Sequence, residues 1–191
     1  EITPEKIYRN RRSFIKSMGL GAGSIALTSI PFINDARSEQ KDKLTSYKDI
    51  TTYNNYYEFG TSKSDPYKNS QNFKTKPWNI SIEGEVEKPI KLSMEEISNS
   101  FTSEERIYRL RCVEGWSMVI PWMGFSLSKL LSKANPTSKA KFVAFESVYD
   151  PDQMKGQRYP VLNWPYKEGL RIDEAMHPLT TVVTGLYNKK L

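Results

Sequence analysis

The sequence predicts an α+β domain, and three observations carry that expectation. Several short stretches alternate apolar and polar residues with the period of two that a strand requires. Short helix signals, two of them opened by a serine, fall among these stretches without the regular alternation of a βαβ protein. With 191 residues, 38% hydrophobic and 12% aromatic, the chain can build one good-sized core.

Each element follows from its residues. WNISI, residues 78–82, alternates and reads as a strand. Residues 84–89 form a turn, and Ile90-Lys91-Leu92 resumes the alternation. Ser93 with Glu96 makes a capping box that opens a short helix, SMEEISNS. Arg106 to Cys112 alternates again, with Tyr108, Leu110 and Cys112 on one face and Ile107, Arg109 and Arg111 on the other. Ser126 caps a helix with Leu127, Leu130, Leu131 and Ala134 on its apolar side, and Asn135-Pro136 ends it. Lys141 to Val148 is a strand placing Val143, Phe145 and Ser147 on one face. A turn-rich excursion follows, then the short helix RIDEAM, His177-Pro178 and a final strand from Thr180 to Leu186. No internal repeat is present.

The N-terminal region reads as an address. NRRSFIK, residues 10–16, is a twin-arginine pattern, and a mildly apolar, glycine-containing stretch follows to residue 33. That stretch is weaker than a membrane anchor. The expected organisation is a twin-arginine signal at 1–37, a polar linker at 38–50 and one domain at 51–191. Glu1 is not a methionine, so the natural start is expected to be missing.

Charge narrows the partners. The formal charge is +6. Half of it belongs to the first 37 residues, where six Lys and Arg face three acids. In the remainder, bases and acids are interspersed, which describes a solvated surface and no nucleic-acid stripe.

Chemistry concentrates on Cys112, the single cysteine. It excludes an internal disulfide, and no Cys/His zinc spacing accompanies it. Three readings stand. A buried cysteine acting as a small hydrophobe is the commonest fate of a lone thiol. A nucleophile would need a histidine partner, and the single His177 sits in an HP turn. A thiolate can also ligate a metal held mainly by a cofactor. Residues 51–60, TTYNNYYEFG, are unusually rich in aromatics and amides and lack a regular period. A loop of that kind must be held by something, a ligand included.

Three blocks, TTYNNYYEFG, YRLRCVEGWSMVIPWMGFSL at 108–127 and EGLRIDEAMHPLT at 168–180, occur in this order behind the twin-arginine pattern. With them the chain resembles the molybdopterin-dependent catalytic subunits of periplasmic protein-methionine-sulfoxide reductases. The resemblance implies a sulfite-oxidase-like fold with mixed sheets and short helices. It implies a molybdenum-molybdopterin cofactor, one pterin per metal, with Cys112 as the metal ligand. It places pterin contacts on Asn54, Tyr57, Glu58 and Ser147, where the family has a threonine at the last position. The family's further pterin contacts lie past Leu191, so the C-terminal part of the domain is expected to be missing from this chain. The implied activity is reduction of methionine sulfoxide in oxidised periplasmic proteins. The implied partners are a haem-containing membrane subunit that donates electrons and the twin-arginine translocation machinery. Two alternatives are another oxidoreductase of this fold, acting on sulfite or a small S- or N-oxide, and an exported binding domain without cofactor.

Overall fold

The computed structural model describes residues 42–190. The twin-arginine pattern, the apolar stretch after it and the start of the expected linker lie outside the described residues.

From Thr45 on the chain is part of the domain, which corrects that portion of the linker expected at 38–50. Thr45 donates its amide to the Val119 carbonyl and accepts the Val119 amide at its hydroxyl. Helix α1 (Tyr47–Thr52) follows, with the Ser46 hydroxyl accepting the Asp49 amide and Ile50 buried. The stretch is polar because α1 shows water three of its sides; one isoleucine is its whole apolar signal.

The next elements are short. A 3-10 turn covers Tyr57–Phe59, and α2 (Asp65–Asn69) carries Pro66 in its first turn, where a missing N–H costs nothing. Strands β1 (Asn79–Ile82) and β2 (Ile90–Ser93) pair antiparallel, as the alternation predicted. The capping box at Ser93 and Glu96 opens α3 (Met94–Ser100).

The central sheet has the order β3-β4-β7-β8. Strand β3 (Glu104–Arg111) pairs antiparallel with β4 (Ser117–Ser126), and β4 pairs with β7 (Thr181–Leu186), which turns into β8 (Lys189–Lys190). Arg106, Tyr108 and Leu110 lie on the more buried face of β3, while Ile107, Arg109 and Arg111 are exposed. Arg109 pairs with Asp42 at 3.3 Å on that outer side.

Sequence reading missed β4, the most buried strand. It sits between two neighbours and shows no polar alternation, and it contains Pro121 and Gly124. Both residues have a structural reason. Pro121 lies where the pairing with β7 has ended, and its carbonyl accepts the Tyr187 amide. At Gly124 the register shifts, and a Cβ would stand 2.1 Å from the Val182 carbonyl oxygen.

Helix α4 (Leu127–Ala134) buries the four predicted apolar residues and ends at Asn135 with φ 54°, a left-handed stop. Ser126 holds the N-cap position, but its hydroxyl bonds Ser128 Oγ and does not cap the backbone. Strand β5 (Phe142–Glu146) pairs with β6 (Lys167–Arg171), a strand hidden in the turn-rich excursion because Gly169 and its charges mask the pattern. A second 3-10 turn covers Lys155–Arg158, and α5 (Ile172–Ala175) is the predicted short helix.

Two apolar clusters hold these elements. The first joins Ile97, Phe125, Leu127, Leu130, Leu131 and Ala175, with Phe101 stacked on Phe125 at 4.3 Å between ring centroids. The second joins Ile50, Met118, Ile120 and Leu186, with Trp116 and Trp122 packed against it. Both tryptophans therefore serve the core. The two clusters tie β4 to α1 and α4, so the loops beside them start from fixed points.

Candidate functional site

Cys112 is the first residue past β3, in the loop that joins β3 to β4. Its amide donates to the Trp116 carbonyl at 2.8 Å, and the Gly115 amide returns to the Cys112 carbonyl at 3.0 Å. Gly115, at φ +89°, makes that reversal possible. The thiol is half-buried, and its contacts are long: Asn55 Nδ2 at 3.7 Å and Glu114 Oε2 at 3.9 Å. The sulfur thus keeps its bonding capacity for something else. His177 accepts the Leu179 amide at Nδ1 within its own turn, and no hydrogen bond joins it to Cys112 among the described residues. The geometry gives no support to a cysteine-histidine nucleophile.

The aromatic and amide loop comes to the same place. Asn55, a residue the sequence reading passed over, reaches the sulfur. Its only signal was adjacency to Asn54. Lys63 pairs with Glu114 at 2.7 Å, and the Trp116 indole N–H donates to the other carboxylate oxygen at 2.8 Å. Tyr53 meets the Trp116 ring edge-on at 5.4 Å. The Lys63 hydrogen bond, then the Trp116 indole, hold the Glu114 carboxyl below its usual range, while the bond from Glu114 raises Lys63.

Asn54 carries the sharpest anomaly. Its amide nitrogens are occupied, by the Lys63 carbonyl at 3.1 Å and the Thr51 carbonyl at 3.3 Å. Its Oδ1 is buried without a hydrogen-bond partner among the described residues. A buried acceptor left unmade costs about 1–3 kcal/mol, so such an atom calls for a donor.

Tyr57 and Glu58 stand in the first 3-10 turn, both half-buried, and the second 3-10 turn packs against them. Gly156 lies so close that a Cβ there would be 2.0 Å from the Tyr57 carbonyl oxygen and 2.7 Å from that of Glu58. Glu58 and Ser147 line one groove of about 1440 Å³, with Tyr56, Phe59, Trp78 and β5. Cys112 and Asn54 are not among its lining residues. Ser147 lies just past β5, not inside it, and donates its hydroxyl to the Tyr166 carbonyl at 3.2 Å, leaving its lone pairs to accept. The predicted residues thus fall into two groups: Cys112 with the Asn54-Asn55 pair, and Glu58 with Ser147, joined through the short turn at Tyr57.

Comparison with known proteins decides what such a site belongs to. The profile of the oxidoreductase molybdopterin binding domain matches residues 67–191. The chain belongs to this family. Cys112 and Ser147 lie inside the match, while the asparagine-aromatic block precedes it and belongs to the longer likeness that follows. Over 204 aligned residues the chain is 50% identical to the protein-methionine-sulfoxide reductase catalytic subunit of Xanthomonas axonopodis pv. citri and 49% to that of Xanthomonas campestris pv. campestris. Each alignment covers all of this chain and 63% of the relative. The chain thus spans less than two thirds of the length of these relatives. Among solved structures, the sulfane dehydrogenase SoxCD of Paracoccus pantotrophus has a similar fold, with a TM-score of 0.50 over 69% of this chain and 33% of that one, at 14% identity. That likeness confirms the sulfite-oxidase-like architecture and speaks for fold alone.

The residues of this molybdopterin-binding domain fit such a cofactor. No three His, Cys, Asp or Glu side chains converge among the described residues. A metal here would take one protein ligand, Cys112, and the rest from a bound group. The Asn54 Oδ1 orphan supplies an unmet acceptor close in sequence to the sulfur's neighbour Asn55. Amide, carboxylate and hydroxyl groups beyond it match the mixed donors and acceptors of a pterin edge.

Proposed function

We propose that this protein reduces methionine sulfoxide in exported proteins, with molybdenum held by one pterin and the Cys112 thiolate. The juxtaposition of the asparagine-aromatic loop with the Cys112 turn, in a chain about half identical to named reductases of this kind, is the observation that carries the reading. The reaction removes one oxygen from the sulfoxide, consumes two electrons and two protons, and releases methionine and water.

When bound, the molybdenum-pterin group supplies two-electron oxygen-transfer chemistry that no side chain here offers. Cys112 would hold the metal and set its donor strength. Asn54 would accept from the pterin through Oδ1, and Tyr57, Glu58 and Ser147 would position its polar edge. The amide of Asn55, aimed at the sulfur, would keep the thiolate oriented. An anion-oxidising site would need a basic pocket at Cys112. Arg109 and Arg111 lie on the exposed face of β3 instead, opposite Tyr108 and Leu110, which favours a neutral sulfoxide substrate.

The residues 10–16 pattern supports export by the twin-arginine route to the periplasm, where a haem-bearing membrane subunit would supply the electrons. The test is the product of the complete gene, made in a molybdopterin-producing host and recovered from the periplasmic fraction. About one molybdenum per chain and turnover of protein-bound methionine sulfoxide are expected, with little oxidation of sulfite. Reoxidation of the reduced haem subunit by protein plus sulfoxide tests the electron path. Absence of molybdenum, recovery only from the cytoplasm, or a preference for sulfite overturns the corresponding part.

A further inference from the structure

One lysine outside the assigned contacts bridges the asparagine-aromatic loop and the Cys112 turn. The Lys63 carbonyl accepts the Asn54 amide at 3.1 Å. Its ammonium stands 5.9 Å from the Tyr57 ring centroid. It pairs at 2.7 Å with Glu114, whose second oxygen holds the Trp116 indole, and Trp116 closes the Cys112 turn through its carbonyl. Two loops that are 51 residues apart in sequence are joined through this side chain. Without it their shared contacts are those of Asn55 with the sulfur and with Glu114, and the Tyr53–Trp116 edge contact.

We propose that Lys63 is a positioning residue: it fastens the Cys112 turn to the Asn54–Tyr57 loop and so preforms the cofactor site. The consequence for the cofactor rests on the proposed function; the consequence for the two loops does not. An ordinary surface pair would do neither, since exposed ion pairs contribute little and leave distant amides unchanged. Lys63 is not of that kind. Its side chain is 25% exposed, and its partner is already anchored by an indole.

Lys63→Met keeps the aliphatic stem and removes the charge. Hydrogen exchange at the Cys112 and Asn54 amides should rise about fivefold. Molybdenum per chain should fall in parallel, while the exchange of β4 amides stays as in the wild type. Lys63→Arg should restore both readouts. Glu114→Gln should reproduce the loss, and the double variant should be no worse than either single one, the mark of two residues acting as a unit. Unchanged exchange in Lys63→Met, failure of rescue by Lys63→Arg, or additive losses in the double variant would overturn the proposal. If the wild type itself carried no molybdenum, the cofactor reading would fail while the exchange arm still decided the role of Lys63.

Discussion

Replacing Gly156 by alanine should move the turn that carries Tyr57 and Glu58. The new methyl carbon would lie 2.0 Å from the Tyr57 carbonyl oxygen and 2.7 Å from the Glu58 carbonyl oxygen. Carbon and oxygen rest at roughly 3.3 Å or more, so the two 3-10 turns must part by about 1 Å. Both obstructing atoms are backbone, and neither can rotate away. Overpacking of this kind costs about 1–3 kcal/mol, and each kcal/mol lowers the melting temperature of a domain of this size by about 2–4 °C. The functional loss should be larger than the loss of stability. A displacement of about 1 Å in groups that position a reacting centre can cost on the order of 100-fold in rate. Thermal unfolding, molybdenum per chain and sulfoxide turnover should be measured together. Gly169→Ala is the control, because its methyl would meet only the Val143 carbonyl oxygen at 3.8 Å, an ordinary contact. A Gly156→Ala protein with wild-type melting, metal content and turnover would refute the reasoning. Equal losses in the Gly169→Ala control would refute it too.

Cys112→Ser should abolish turnover and molybdenum retention while circular dichroism and melting stay near the wild type; preserved turnover would remove the ligand role. Phe125→Ala should cost about 3–5 kcal/mol in urea unfolding, since Phe125 is 1% exposed and stacked on Phe101. A loss below about 1 kcal/mol would show the site collapses instead of leaving a cavity. The Ser93 backbone amide, then its hydroxyl, hold the Glu96 carboxyl below its ordinary value of 4.5. A depressed carboxyl contributes stability that is fully present above pH 4.5 and is lost as the pH falls through the lower folded value. Glu96→Gln should therefore be less stable than the wild type at neutral pH, with the gap closing on acidification. A gap that stays constant down to acid unfolding would exclude the linkage.

Local rules made much of this protein legible in its sequence. Period-two alternation placed β1, β2 and β3 and assigned the faces of β3 correctly, because one side of each meets the core and the other meets water. The Ser93–Glu96 box and the Asn135 stop bounded their helices because capping is settled within four residues of chain. Cys112 stood out as the single thiol of the chain, and the family blocks around it pointed to the pterin. What the sequence concealed were the elements whose pattern depends on distant neighbours. Strand β4 is covered on both faces and so shows no alternation. Strand β6 finds its partner only in β5, and α1 is stable only because Ile50 enters the second cluster. The site followed the same division. The sequence alone determined which chemical groups the protein carries. Tertiary structure decided that Asn55 meets the sulfur, that Asn54 Oδ1 is left without a partner among the described residues, that Lys63 pairs with Glu114 of the Cys112 turn, and that Gly156 lies against Tyr57 and Glu58. The reason is physical: a hydrogen bond or a steric limit between residues 51 or more positions apart depends on where folding brings their backbones, and no local pattern encodes that.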